Sequence, residues 1–125
     1  MKKLIVVLIV AALLISSLAG CSSTKFKMDS QHLKYGEKAL EYLDSFLDFD
    51  ISLSELDEKF DSLYSAIDSL PSVSKDDECY YGNYFVESKV TNLHFHLSLA
   101  SYKNNSSEIL QRRNDLAEIL GKPAR

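Results

Sequence analysis

The chain has 125 residues, of which 46% are apolar and 26% are charged, and its formal net charge is −4. This length allows one modest hydrophobic core and excludes two domains or a large catalytic cleft. Beyond residue 20, 12 Lys and Arg stand against 18 Asp and Glu, a net charge of −6. So acidic a chain lacks the basic surface that a general nucleic-acid-binding protein needs.

The amino terminus has the pattern of a targeting segment. Residues 1–3 read Met-Lys-Lys, and an uninterrupted apolar run of eleven residues follows at 4–14. A basic start followed by an apolar run is typical of a secretory signal peptide. The apolar stretch to residue 20 also reaches the lower limit for a membrane-spanning helix, about 17 residues. A permanent anchor and ordinary secretion are therefore the alternatives to lipid attachment.

The residues that follow favour lipid attachment. Leu18-Ala19-Gly20-Cys21 resembles the lipobox of bacterial prolipoproteins, in which small residues precede a cysteine that becomes the mature amino terminus. The resemblance covers residues 1–21 and implies cleavage between Gly20 and Cys21, with a diacylglyceryl group on the Cys21 thiol and palmitate as an expected acyl chain. It places the protein on the extracytoplasmic side of the cell membrane, or on the outer membrane of a host that has one.

A short linker is expected between the anchored cysteine and the folded part. Residues 22–28 are polar and weakly basic, and at about 3.5 Å per residue they extend no more than about 25 Å. We therefore expect the folded part close to the lipid surface. Lys25 and Lys27 either contact anionic headgroups or serve only as solubilising charges.

Residues 29–125 are predicted to form a single all-α domain. Apolar residues recur at three- and four-residue steps, which is the period of a helix. Ser52 and Glu55 form a capping box at the second predicted helix, and Gly82 weakens the start of the third. Short connections favour a small antiparallel bundle of three to four helices. The predicted helices span about residues 30–48, 53–70, 75–102 and 107–120.

The sequence predicts a protein that is not an enzyme and that holds no metal and no cofactor. Residues 48–54 carry oxygen side chains at alternate positions but lack the glycine and the glutamate of a calcium loop, so we interpret them as helix caps. His94 and His96 lie about 200° apart on a helix and cannot share a metal ion. His32 has no local partner, and no nucleophile can be placed beside a base.

Cys79 is the only thiol that remains if Cys21 is acylated, so an internal disulfide is excluded. Its position near a helix amino terminus favours the thiolate. Burial as a small apolar side chain is the alternative, and it is the one we expect.

Tyr80, Tyr81 and Tyr84 are the candidate partner-contact residues. Three tyrosines within five helical positions span too wide an arc for all of them to be buried. Exposed tyrosine is enriched in binding surfaces because it offers a large contact area at a small cost in entropy. An aromatic cap on the end of the bundle is the alternative interpretation.

Charge is divided unevenly along the chain, which bears on the partner. Residues 37–78 hold 13 acids and 3 bases, whereas residues 79–125 hold 4 acids and 6 bases. The acidic part either attracts a cationic peptide or is merely a solvated surface.

The function that we predict is that of a non-enzymatic lipoprotein, held in the lipid bilayer by acylated Cys21, which contacts an envelope protein. One alternative is an immunity or exclusion protein that sequesters a cationic toxin or blocks phage entry. Another is a protein that binds a small ligand inside the bundle. The overall look is similar to small helical bacterial lipoproteins of unknown function.

Overall fold

The computed structural model describes residues 24–99 and 106–125, of which 69% are helical and none is in a strand. The predicted all-α bundle is therefore confirmed. The predicted signal peptide, its cleavage site and Cys21 lie outside the described residues. The helices are α1 (Ser30–Leu47), α2 (Leu53–Asp68), α3 (Tyr80–Leu97) and α4 (Ser106–Ile119).

α1 and α3 form the centre of the bundle. Each packs against the other and against both α2 and α4, whereas α2 and α4 are not in contact within the described ranges. Helices that are consecutive in the chain run in opposite directions, so α1 and α3 begin at the end of the bundle where α2 and α4 finish. We call this end the proximal end and the opposite one the distal end.

All four helices contribute to one hydrophobic core. Its members lie three or four positions apart in each helix, as the sequence period predicts, so each helix buries one face. Burial of each such side chain contributes roughly 1.5–3 kcal/mol relative to leaving it in water. Core residues with less than 2% exposure include Leu43, Phe60, Val90 and Leu116.

Hydrogen bonds from local side chains explain where α2 and α3 begin. The predicted capping box of Ser52 and Glu55 is present at α2. The third helix begins at Tyr80, five residues later than predicted, because the preceding residues form turns. There the Asp77 side chain accepts a hydrogen bond from the Cys79 N–H at 2.8 Å, and such local bonds compete with the helix. The third helix also ends earlier than predicted, at Leu97.

A buried arginine ties the carboxyl terminus to α1. Arg113 is 6% exposed and donates two hydrogen bonds to the Asp44 carboxylate, at 2.8 and 3.0 Å. It also donates to the Pro123 carbonyl at 2.6 Å. Arg125 donates to Asp44 at 3.1 Å and to Asp48 at 2.5 Å. The Asp48 carboxylate is thus part of an ion-pair network.

Residues 24–28 pack against the proximal end, and we name them the docked segment. The Lys25 N–H donates to the Ile119 carbonyl at 3.2 Å, at the end of α4. The ring of Phe26 lies 4.8 Å from the ring of Phe85 in α3. The expected linker therefore packs on the bundle at residues 25–28. Its apolar side chains explain this, because they cover part of the core.

Gly82 allows the docked segment to approach α3 closely. A Cβ atom at this position would lie 2.1 Å from the Lys27 carbonyl oxygen and 2.8 Å from its carbon. Backbone atoms cannot move away from such a clash as easily as a flexible side chain can. The glycine that weakens the helix in the sequence is therefore the position at which two backbones meet.

We expect Gly82→Ala to destabilise the protein by about 1–3 kcal/mol, the usual cost of overpacking. Gly36→Ala is the matched control, because its Cβ would meet Leu120 Cδ2 at 2.8 Å, the end of a side chain that can shift. Both changes gain about 1 kcal/mol of helix propensity. The difference between the unfolding free energies of the two variants therefore reports the packing of the docked segment. Urea unfolding measures it, and equal midpoints for the two variants would contradict this packing.

Candidate functional site

A buried histidine connects the start of α1 to α3. His32 is 1% exposed, and its Nδ1 lies 2.8 Å from Asp29 Oδ2 while its Nε2 lies 2.7 Å from Glu87 Oε1. Asn83 donates from Nδ2 to Asp29 Oδ2 at 2.9 Å and accepts the Asp29 N–H at 3.0 Å. We name these four residues the histidine cluster.

The prediction that His32 has no local partner is wrong. Asp29 lies three residues earlier, caps α1 by accepting the His32 N–H at 2.8 Å, and also contacts the imidazole ring. The three-residue spacing was a usable signal for this contact, since a cap and the third helical residue are neighbours. Glu87 and Asn83 carried no such signal, because their contacts depend on how α3 is positioned against α1.

The hydrogen bonds of the histidine cluster favour the ionised form of Asp29. Burial raises the pKa of Asp29, but hydrogen bonds from the His32 backbone and ring, and from Asn83, outweigh burial and hold that pKa below its ordinary value. Each His32 ring nitrogen lies within hydrogen-bonding distance of a carboxylate oxygen. Hydrogen bonds to charged groups contribute roughly 1.5–3 kcal/mol each.

The histidine cluster is suited to holding structure together. Both His32 nitrogens are engaged by carboxylates, so neither is available to activate a nucleophile. Within residues 24–99 and 106–125, no group of His, Cys, Asp or Glu has a metal-binding arrangement. The cluster fixes the position of Asp29, which directly follows the docked segment.

Glu87 also lines a groove between α2 and α3. Its side chain is 42% exposed. Two adjoining depressions of about 200 and 140 Å³ share Glu87 and Ser72. Each is smaller than small-molecule pockets, which begin at roughly 300 Å³, so the groove suits a side chain of a partner better than a separate ligand. Its other lining residues include Tyr64, Asp68, Tyr80 and Tyr84.

The structure brings the three predicted contact residues together on the first turns of α3. Tyr81 is 61% exposed and Tyr84 is 52% exposed, whereas Tyr80 is half-buried. The Tyr80 ring lies 5.2 Å from that of Tyr81 and stacks 6.4 Å from that of Tyr84. These contacts limit the motion of the rings. We name the three residues the tyrosine surface.

The remaining histidines and the thiol occupy separate positions. His94 stacks on Tyr64 with ring centroids 4.6 Å apart, and its Nε2 lies 3.9 Å from Asp61. Cys79 is half-buried at the start of α3. Partial burial raises the pKa of its thiol, and the carboxylates of Asp77 and Glu78 raise it further. The predicted preference for the thiolate is therefore wrong.

Comparison with protein-family models, with curated proteins and with solved structures finds no match to this chain. Among the helices of the described ranges, none is both long enough and apolar enough to cross a membrane.

Acid is expected to destabilise the fold through two carboxyl groups. Hydrogen bonding by Arg113 lowers the pKa of Asp44 despite partial burial, and the pKa of Asp29 is also lowered. The folded state then binds fewer protons than the unfolded state. The resulting stability is complete above the unfolded pKa, about 3.9, and is lost as the pH falls through the folded values.

Urea unfolding between about pH 5 and pH 3 measures this loss. We expect Asp44→Asn to be less stable than the wild type at neutral pH and to lose less stability on acidification. Asp50→Asn, at an exposed carboxyl in the α1–α2 loop, is the control and should keep the acid sensitivity of the wild type. The explanation fails if Asp44→Asn is as acid-sensitive as the wild type.

Proposed function

We propose that the protein is a lipid-anchored, extracytoplasmic lipoprotein that acts by binding an envelope protein through the tyrosine surface. The observation that carries this proposal is the exposure of Tyr81 and Tyr84, at 61% and 52%, on adjacent turns of one helix. Large aromatic side chains that are exposed yet restrained are enriched in binding sites. The adjoining groove offers a place for a partner side chain.

The anchoring part of the proposal is supported by the sequence. A basic start, an apolar run, small residues and Cys21 follow one another in the order that a lipobox requires. Two acyl chains hold a protein firmly on a bilayer, whereas a single chain is marginal.

The hydrogen bonds of the buried polar side chains support the binding part of the proposal. The buried polar side chains of the described residues are His32, Asn83 and Arg113. Each forms hydrogen bonds within the protein, although Asn83 also lines the smaller of the two depressions. This favours a role in contact with a partner over a role in chemistry or in ligand binding inside the bundle.

A second candidate function is the capture of a cationic toxin. The groove beside the tyrosine surface is lined by two carboxylates, Asp68 and Glu87, together with Tyr64. Carboxylates next to aromatic rings suit a lysine or arginine side chain, through ion pairing and cation–π contact. On this reading the captured protein is basic and soluble.

The anchor is tested by labelling cells with a palmitate analogue. The wild type is expected to incorporate the label and to be cleaved, whereas Cys21→Ala should take up none and accumulate uncut. Cys79→Ala is the control, because it removes the other thiol and should label like the wild type. A wild-type chain without label would contradict lipid attachment and indicate an uncleaved helix or ordinary secretion.

The contact surface is tested by photocrosslinking in intact cells. A photoreactive residue in place of Tyr84 is expected to give one dominant protein adduct, identified by mass spectrometry. The same residue in place of Phe49, which is 93% exposed at the distal end, is the control and should give none. Scattered adducts at Tyr84 would contradict the proposed contact, and a basic soluble adduct would favour toxin capture.

A further inference from the structure

The groove between α2 and α3 adjoins the tyrosine surface and carries negative charge. Its two depressions, of about 200 and 140 Å³, meet at Ser72 and Glu87. Tyr80 and Tyr84 of the tyrosine surface line the smaller depression, so a partner that covers this surface also lies over the groove. Asp68 and Glu87 supply one carboxylate from each helix. Among the described residues, no Lys, Arg or His lines either depression.

The end of α2 adds to the negative potential of the larger depression. Asp68 is the last residue of this helix, where the helix dipole is equivalent to about half a negative charge. A basic residue in the last turn would offset this charge, but the last turn of α2 has none. Because an acid at this end destabilises a helix, a cation bound beside Asp68 would relieve an unfavourable interaction.

The second carboxylate is held in place from the buried side. His32 is 1% exposed, and its Nε2 lies 2.7 Å from Glu87 Oε1. The Glu87 side chain is nevertheless 42% exposed, and an ionised carboxylate can accept about four hydrogen bonds. Asp29 contacts the other nitrogen of the ring. Since the ring can carry at most one positive charge, two ionised carboxylates beside it leave the histidine cluster negative.

The walls of the groove suit an organic cation. Tyr64 lines the larger depression, and its ring is stacked on His94 with centroids 4.6 Å apart. Ile67 and Leu70 line the same depression. The side chains of lysine and arginine combine an aliphatic stem, which packs on apolar surface, with a charged head that is attracted to carboxylates and to aromatic faces. A groove with both kinds of wall matches both parts of such a side chain.

We propose that the envelope protein bound to the tyrosine surface inserts a lysine or arginine side chain into this groove. The cationic head lies between Asp68 and Glu87, and the aliphatic stem packs against Ile67. This inference rests on the proposed contact function and adds the chemistry by which the partner is recognised at the same surface. It concerns one side chain, so the envelope protein need not be basic as a whole, unlike the toxin of the second candidate function.

A second copy of this chain is a poorer occupant of the groove. Most dimers are symmetric and bring the same patch of both subunits together. Such a dimer would place the carboxylates of one groove against those of the other, and like charges repel. Residues 37–78, which include α2 and much of α1, hold 13 acids against 3 bases, so the repulsion extends beyond the groove.

The first test measures the binding of a cationic probe to the full-length chain in detergent micelles. We expect N-acetylarginine amide to shift the NMR signals of the tyrosine rings saturably. N-acetylcitrulline amide is the control probe, because it has nearly the same shape without the charge, and it should cause no such shift. Asp68→Asn should weaken the binding of the arginine probe about fivefold, which corresponds to about 1 kcal/mol. Asp50→Asn removes an exposed carboxyl in the α1–α2 loop and should leave the binding unchanged.

The second test repeats the photocrosslinking at Tyr84 in intact cells with the same two variants. Asp68→Asn should lower the yield of the protein adduct about fivefold, in line with the weaker binding, and Asp50→Asn should not change it. Circular dichroism of Asp68→Asn verifies that the fold is intact.

The outcomes separate this inference from the proposed function. An adduct that forms equally well with Asp68→Asn, or a citrulline probe that binds as tightly as the arginine probe, would overturn the inference and keep the contact function. Adducts with a second copy of this chain would also overturn the inference. Absence of any protein adduct at Tyr84 in the wild type, with binding of the arginine probe intact, would reject the contact function itself.

Discussion

The attachment of residues 24–28 to the bundle is the constraint on which the functional account depends. It is held at one end by the Lys25 bond to Ile119 and at the other by the histidine cluster, in which His32 lies between two carboxylates from different parts of the chain. Buried polar groups are costly unless they are paired, so this cluster favours one arrangement of Asp29 relative to α3. The composition of residues 24–28 predicts a flexible spacer, but these contacts fix their direction relative to the bundle.

This attachment connects the anchor to the contact surface. α3 packs on three neighbours through one face and exposes Tyr81 and Tyr84 on the opposite side, and the docked segment lies beside these residues. A lipid on Cys21 would restrict both the height and the orientation of the surface. Restriction of this kind would lower the entropy cost of binding the proposed partner. The proposed anchor would therefore also orient the proposed contact surface.

The sequence predicted the parts of the structure that depend on local pattern. Three of the four helices agree with the three- and four-residue periodicity to within two residues at each end, and the capping box at Ser52 is present as predicted. Contacts between distant segments had no such pattern. The partners of His32 and the approach of Lys27 to Gly82 depend on how helices meet in space. The helix amino terminus does not favour the Cys79 thiolate as its position predicted, because partial burial and the neighbouring carboxylates raise the pKa of the thiol.

Hydrogen exchange of the full-length chain, followed by mass spectrometry, tests the docked segment most directly. The amide hydrogens of Lys25 and Asp29 bond to the Ile119 carbonyl and to Asn83 Oδ1, so a peptide that covers them should exchange far more slowly than an unstructured chain. We expect protection comparable to that of the first turn of α1. If this peptide exchanges at the rate of a free peptide while α1 and α3 stay protected, residues 24–28 are a flexible tether. That result would contradict a fixed orientation of α3 relative to the docked segment.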